Sequence, residues 1–339
     1  MVPPIDVARS TTTTSAPAPD AARAAANAAA PDPTTTTDRV SGTRPGYVPA
    51  LGPEECRVSP AGAASYDQAM ALPPPSPTST ALVTGASSGI GAALARELAQ
   101  RGHGVTLVAR REARLTELAA ELHKAQGVRS EVVALDLTDA AARGGLLGTL
   151  PERGLTVDVL VNNAGFTTTG PVHRSDRERE MAMIRTDVEA VIDLCSIFLP
   201  GMVERGRGAV LNVASTAAFQ PLPGQAGYGA SKAFVLSYTR AVRAEVRAKG
   251  VTVTALCPGP VKTEFAETGG FTKEESENSL PKFMWLAAAE VARIAVLGME
   301  QGKGVVIPGF ANRVGAGFAR TAPHQALAAF LARQHPALK

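Results

Sequence analysis

The sequence predicts an α/β fold: a doubly wound parallel sheet of about seven strands in one domain, behind a disordered N-terminal extension. Three observations predict it. From residue 79 onward, short apolar runs of strand length alternate with longer stretches of helical spacing. A glycine-rich turn separates the first such run from the first helix. Ahead of residue 78 the composition is of another kind, rich in Pro, Ala and Thr.

The elements follow in order. Thr80–Thr84 is a short apolar run, read as a strand buried on both faces. Ile90–Arg101 has helical spacing, Gly104–Ala109 is a second strand, and Glu112–Gln126 a second helix. Ser130–Leu135 makes a third strand, and Asp158–Asn162 a fourth after an intervening helix. A long helix covers Asp176–Leu199, Ala209–Ala214 is strand five, Tyr228–Lys249 a helix, and Val251–Cys257 strand six. Ala287–Gln301 reads as a helix and Gly304–Ile307 as strand seven. This βαβ alternation implies right-handed crossovers, and ligands of such folds sit beyond the carboxyl ends of the strands.

Residues 1–78 hold 14 of the 25 prolines, two Thr runs (Thr11–Thr14 and Thr34–Thr37) and two aromatic residues, Tyr47 and Tyr66. Such a segment cannot bury enough apolar area to offset its ordering entropy. It is read as mostly disordered, with a transient helix at Ala21–Ala30; a targeting or docking arm is the alternative. Met70, just ahead of the fold, is a second candidate start of translation. The opening MVPPIDVARSTTTT has no apolar stretch, so a secretory signal is not expected. The boundaries read this way are 1–78 for the extension, 79–310 for the α/β domain and 311–339 for a helical tail.

Composition bounds the function. With 45% hydrophobic residues the chain can bury a sizeable core, and a formal net charge of +3 gives no argument for nucleic acid or an acidic membrane surface. Cys56, Cys195 and Cys257 lie far apart, and the five histidines lack ligand spacing. Neither a disulfide framework nor a metal site is expected, and a reducing cytoplasm fits best. No apolar stretch reaches the roughly 18 residues of a transmembrane helix.

The first strand runs into Thr84-Gly85-Ala86-Ser87-Ser88-Gly89-Ile90-Gly91, which opens a helix. Glycine permits a tight turn and close approach of backbone to a pyrophosphate, and the helix start supplies free N–H groups and a positive dipole end. This loop resembles the cofactor loop of the short-chain dehydrogenase/reductase family, a Rossmann-type fold. So do Asn162-Asn163-Ala164-Gly165 after strand four, Tyr228 followed by Lys232 with Ser215 upstream, and Pro258-Gly259-Pro260-Val261-Lys262-Thr263 after strand six. The motifs occur in the family's order and cover essentially residues 79–310.

The resemblance implies a nicotinamide cofactor. In NAD-preferring members an acid ends strand two; here Ala109 takes that place and Arg110 and Arg111 follow. A guanidinium matches a phosphate dianion in shape and charge, so NADP(H) is expected over NAD(H). Asp136, with Leu137 beside it, resembles the residue that holds the adenine amino group; its other reading is a helix cap, although Asp139 fits that role better. Asn162 is expected to tie neighbouring strands together. Asn163, Ala164 and Gly165 are expected to let the adenosine lie close to the backbone. Pro258, Gly259, Val261 and Thr263 are expected to wall the carboxamide.

Tyr228 and Lys232 are four residues apart on one helix and share a face. A nearby ammonium favours the phenolate and is expected to lower the ordinary phenol pKa. Tyr228 then gives a proton to a nascent alkoxide or takes one from an alcohol, Lys232 also holds the nicotinamide ribose, and Ser215 polarises the substrate oxygen. One position departs from the family. The fourth catalytic member is usually an asparagine, and Asp187 stands there; an unpaired carboxylate is expected to raise the pKa of Lys232 or Tyr228, with Arg185 a possible counter-charge. A cofactor-binding redox sensor without catalysis is the alternative reading that Asp187 leaves open.

The stretch from Thr263 to Lys282 is polar and acidic in its middle, and is read as a mobile lid. Phe283-Met284-Trp285-Leu286 reads equally as pocket lining or core, and Phe166 and Phe219 fall near strand ends, hints of an apolar carbonyl substrate. The tail Ala311–Lys339 is basic, with Phe318, Leu327, Phe330 and Leu331 as its apolar positions. It packs on the domain or on a dimer partner, or lies on a membrane surface. The resemblance implies a homodimer or homotetramer through the two long helices.

Overall fold

The structure is a computed structural model that describes residues 72–270, 272, 274, 281–334 and 338. Ala21–Ala30, Tyr47, Tyr66, Cys56 and Met70 lie outside the described residues, as does the expected lid at 271, 273 and 275–280. The described residues begin at Leu72, seven residues ahead of the expected domain start at 79. Leu72 packs against the main core, and the hydroxyls of Ser76 and Ser79 each accept the other's backbone N–H, at 3.1 and 2.9 Å.

Seven parallel strands form the sheet. They are β1 (Ser79–Thr84), β2 (Val105–Ala109), β3 (Ser130–Ala134), β4 (Thr156–Asn162), β5 (Gly208–Val213), β6 (Val251–Leu256) and, nearly at the end of the chain, β9 (Val305–Val306). Their spatial order is β3-β2-β1-β4-β5-β6-β9. The direction of winding reverses between β1 and β4, so the crevice for a ligand opens at the carboxyl ends of those two strands. Strands β1, β5 and β6 are buried along their whole length, which is why each reads as a continuous apolar run.

Helices cover both faces. Helix α1 (Gly89–Gln100) buries Gly91, Ala92, Ala93, Leu94, Ala95, Leu98 and Ala99, small residues that let it press onto the sheet. Helix α2 (Glu112–Gln126) buries Leu115, Leu118 and Leu122 and ends at Gly127 in the left-handed region. Helix α3 (Ala140–Glu152) starts at Asp139, whose carboxylate accepts the N–H groups of Ala141 and Ala142. Fully buried leucines such as Leu82, Leu94 and Leu160 each contribute about 1.5–3 kcal/mol.

The expected long helix is α4 (Arg177–Ile184) followed by α5 (Ala190–Glu204), joined by a π-helical turn over Arg185–Glu189. Helix α6 (Ala226–Val246) carries the Tyr228/Lys232 pair. Two-residue strands β7 (Val261–Lys262) and β8 (Leu286–Ala287) pair with each other, flanking the short α7 (Phe265–Thr268). Helix α8 (Ala288–Glu300) packs beside α1. The tail forms α9 (Phe310–Thr321) and α10 (His324–Gln334); Ala316, Ala319 and Leu327 join a third core cluster with Phe219, which is buried there.

Candidate active site

The glycine loop forms a cradle. Gly85 has φ 66°, and a Cβ on it would lie 2.8 Å from Ala164 Cα; at Gly91 a Cβ would lie 2.3 Å from the Gly85 carbonyl oxygen. Thr84 Oγ1 accepts the N–H groups of Asn163 and Ala164, both at 3.0 Å, and the Asn163 amide donates to the Thr84 carbonyl at 2.9 Å. These bonds lock the ends of β1 and β4 together at the reversal of winding. Ser88 caps α1 without spending its side chain on a helix N–H, and the first turn carries no acidic residue. Across from the loop, Thr263 stands where a Cβ on Gly89 would meet its Cγ2 at 3.2 Å. Free helix N–H groups, a cradle of glycine backbone without Cβ atoms and an opposing wall fit a dinucleotide pyrophosphate.

Beside the loop lies a cationic corner. Arg111 donates to Ser87 Oγ at 3.0 Å and to Ser88 Oγ at 2.7 Å. Its remaining terminal nitrogen reaches Glu264 Oε2 at 3.1 Å, and Arg114 donates to Glu264 Oε1 at 2.9 Å. The two guanidiniums hold the Glu264 carboxyl below its ordinary value. Arg110 is exposed and makes no ion pair among the described residues. Asp136 Oδ1 accepts both the N–H and the hydroxyl of Thr138 at 2.9 Å; these bonds, with Arg110 nearby, hold its carboxyl down.

Ser215 lies two residues beyond β5 and caps a short 3-10 turn over Thr216–Phe219, where its Oγ accepts the Ala217 N–H at 3.1 Å. Its hydroxyl also acts on the Tyr228 phenol, favouring the ionised form. One turn further along α6, the Lys232 ammonium sits 5.6 Å from the centre of the Tyr228 ring. It donates to the Val213 carbonyl at 3.2 Å and lies 2.9 Å from Asp187 Oδ2. Asp187 is buried, at 0% exposure, and its other oxygen accepts the Phe166 N–H at 3.1 Å. The π-helical turn, a widening often found at functional sites, holds Asp187 in the interior.

Burial pushes the Tyr228 phenol above its ordinary value. Lys232 and the Ser215 hydroxyl pull it back, while Asp187 adds to the rise. The expected net lowering is therefore corrected: desolvation of the phenolate outweighs the ammonium. Burial opposes the Lys232 charge, but Asp187 and Tyr228 outweigh it and hold the ammonium above its ordinary value. A rise of Lys232 or Tyr228 was expected beside an unpaired Asp187; the carboxylate is paired with Lys232, and both groups stand above their ordinary values, while Arg185 is exposed.

A family model for short chain dehydrogenase matches residues 79–273. The chain belongs to that family. It is an NAD(P)-dependent oxidoreductase acting on alcohol or carbonyl groups. It is 42% identical over 193 residues to sulfoacetaldehyde reductase 2 of Chromohalobacter salexigens, covering 56% of this chain and 76% of that protein. It is 38% identical over 187 residues to an NADP-dependent 3-hydroxy acid dehydrogenase of Escherichia coli K12, covering 55% and 74%. A short-chain dehydrogenase from Sphingobium yanoikuyae, solved in complex with NADPH, superposes with TM-score 0.64 at 34% identity, over 74% of this chain and 94% of that one.

Most residues read from the sequence of this dehydrogenase converge on one crevice, but three differ in detail. Leu137 turns its side chain into the core, leaving only its backbone to the loop, and its carbonyl accepts Arg143 at 2.6 Å. Gly165 makes room for Asp187, whose Oδ1 a Cβ would meet at 2.9 Å. Gly259 is pressed by Asn312 of α9, so part of the carboxamide wall is braced from behind by the tail. Asn162 ties β4 to β5 as expected, donating to Asn212 at 2.9 Å. Phe283 is 74% exposed, so it is not core.

Sequence reasoning missed four participants: Thr84 as the clasp, Arg114 and Glu264 in the cationic corner, and Phe265, whose ring centre lies 5.7 Å from that of Tyr228. Only the clasp had a local signal, a threonine closing β1 ahead of the glycines.

Proposed function

We propose that this chain is an NADP(H)-dependent oxidoreductase that interconverts a carbonyl and an alcohol by hydride transfer, with Tyr228 as acid and base. The observation that carries the reading is the row Ser215, Tyr228, Lys232, Asp187 at the carboxyl end of the sheet, its first two members half-buried and its last two buried, beside a glycine cradle. In this reading the backbone of Gly85, Ser87, Ser88, Gly89, Ile90 and Gly91 binds the pyrophosphate. Arg110 and Arg111 take the 2′-phosphate, and Asp136 with the Leu137 backbone the adenine. Asn163, Ala164 and Gly165 shape the floor, and Pro258, Gly259, Val261 and Thr263 position the carboxamide. The NADP-dependent relative and the NADPH-bound structural relative support the choice of cofactor.

A bound nicotinamide supplies or accepts the hydride at the carbonyl carbon. Ser215 donates to the substrate oxygen and polarises it. Tyr228, a neutral phenol whose pKa burial raises further, delivers the proton as alkoxide character develops. Lys232 stabilises the phenolate left behind; one of its three donors meets Val213 and the ammonium is ion-paired with Asp187, which leaves donor capacity for the ribose hydroxyls. Phe265, with its ring beside Tyr228, excludes water from the reacting atoms and favours an apolar substituent on the substrate.

The protein is read as cytoplasmic and as a homodimer or homotetramer; among the described residues no helix is long and apolar enough to cross a membrane. The test is NADPH oxidation against a panel of carbonyl compounds, repeated with Tyr228→Phe. Turnover is expected to fall about a hundredfold or more, with NADPH binding unchanged. Equal turnover in the variant removes Tyr228 from its role.

A further inference from the structure

Helix α9 carries apolar side chains on two opposite sides. One side, through Asn312, Ala316 and Ala319, is buried against the domain. The opposite side presents Phe310 at 74%, Val314 at 56% and Phe318 at 67% exposure, spaced four residues apart and so stacked along one stripe. Four of the five exposed phenylalanines among the described residues fall at or beyond Phe283. Phe283 itself is carried by a 3-10 turn that α9 anchors, since the Asn312 amide donates to the Met284 carbonyl at 3.1 Å. Soluble surfaces scatter single apolar side chains; a continuous stripe of large ones calls for a partner.

Charge says what kind of partner. The whole chain carries only +3, but residues 311–339 contain Arg313, Arg320, Arg333 and Lys339 and no Asp or Glu. Arg313 and Arg320 lie along one flank of the stripe. Their guanidiniums rest on the rings of Phe310 and Phe219, at 6.0 and 4.2 Å, and pair with no carboxylate among the described residues. Behind that flank Arg240, Arg320 and His324 line an open cavity of about 350 Å³ floored by Phe219 and Leu236. A second copy is a poor occupant. A two-fold contact sets the same patch against itself, so arginines would meet arginines with no acid in the tail to separate them.

We propose that α9 is a peripheral docking surface for an anionic lipid bilayer. The Phe310–Val314–Phe318 stripe enters the headgroup–acyl boundary, Arg313 and Arg320 meet lipid phosphates, and the cavity beside Arg240 seats a headgroup. The enzyme then works at the membrane surface, with the turn that bears Phe283 turned towards the lipid.

The test is co-sedimentation of the full chain with vesicles of phosphatidylcholine alone and with phosphatidylglycerol added. Binding is expected on the anionic vesicles, falling as salt rises, with about tenfold weaker binding to neutral ones. Phe310→Ser with Phe318→Ser, both on exposed positions, is expected to lower partitioning about tenfold or more while leaving NADPH turnover on a soluble carbonyl unchanged. Arg313→Glu provides a second arm and is expected to remove the preference for anionic vesicles. Absence of binding to either vesicle overturns the proposal, as does equal binding by wild type and the double variant. A double variant that changes oligomeric state in a chain that ignores vesicles assigns the stripe to a second copy instead.

Discussion

The Lys232 ammonium and the Asp187 carboxylate face each other at 2.9 Å inside the protein, at 5% and 0% side-chain exposure. An ammonium used to stabilise a phenolate is thus partly neutralised by its own neighbour, and Asp187 raises the Tyr228 phenol. Asp187→Asn keeps the shape and an oxygen for the Phe166 N–H but removes the charge. With Lys232 still protonated, the phenol pKa falls. The alkaline limb of carbonyl reduction, where Tyr228 loses its proton, is expected to move to lower pH. In alcohol oxidation, where the phenolate is the base, the acid limb moves the same way. A pH profile of kcat/KM checks this; movement to higher pH would show that Lys232 had surrendered its proton once its partner was gone.

The proposed basis of cofactor choice is charge at the other end of the cleft. Arg110 is exposed and not ion-paired among the described residues, whereas Arg111 and Arg114 share Glu264. Arg110→Ala is expected to weaken NADPH about tenfold or more and leave NADH within about twofold. Glu264→Gln acts in the opposite sense. A 2′-phosphate at Arg111 competes with the resident carboxylate, so its removal tightens NADPH severalfold and spares NADH. Titration of both nucleotides against wild type and the two variants checks the signs, and NADH binding tighter than NADPH in wild type refutes the assignment.

Arg143 links stability to the cofactor loop. It is 2% exposed and donates to Asp193, Glu189 and the Leu137 carbonyl, the last at 2.6 Å. Leu137 follows Asp136, so the bond steadies the proposed adenine loop. Arg143→Ala leaves a cavity and strips a donor from that carbonyl, and is expected to destabilise the fold by about 3 kcal/mol. The KM for NADPH rises while kcat holds. Denaturant unfolding together with steady-state kinetics separates the two effects; a variant of unchanged stability would show that the buried guanidinium contributes nothing net.

These residues also show where the sequence speaks and where it is silent. The strands were legible because burial on both faces leaves an apolar run such as Ser79–Thr84, whereas Tyr228, Lys232 and Ser215 stood out only through their resemblance to the family's motif, the first two on one helix and the third beyond a strand end. The pair β7 and β8 was not, since two residues cannot display a period of two. The Glu264 bridge joins residues 150 and 153 positions apart, and nothing local announces it. The phenol was misjudged because neighbours in sequence reveal a charge four residues away but not how much water the fold removes.

The glycine cradle offers a test that does not depend on the catalytic row. A methyl at Gly91 would fall 2.3 Å from the Gly85 carbonyl oxygen and 2.4 Å from the Asn163 amide nitrogen. Both are backbone or backbone-held atoms, because Asn163 is already bonded to the Thr84 carbonyl at 2.9 Å. The overlap cannot be relieved by swinging a flexible side chain. Gly91→Ala must therefore push α1 away from the ends of β1 and β4, moving the helix N–H groups that are to meet a pyrophosphate. The expected result is a loss of NADPH affinity of about a hundredfold, for NADH equally, together with a lowered Tm. Gly144→Ala is the control: a Cβ there meets nothing within 4 Å, so both stability and cofactor binding are expected to hold or improve. If Gly91→Ala bound both nucleotides as wild type does, the loop would not be the pyrophosphate site.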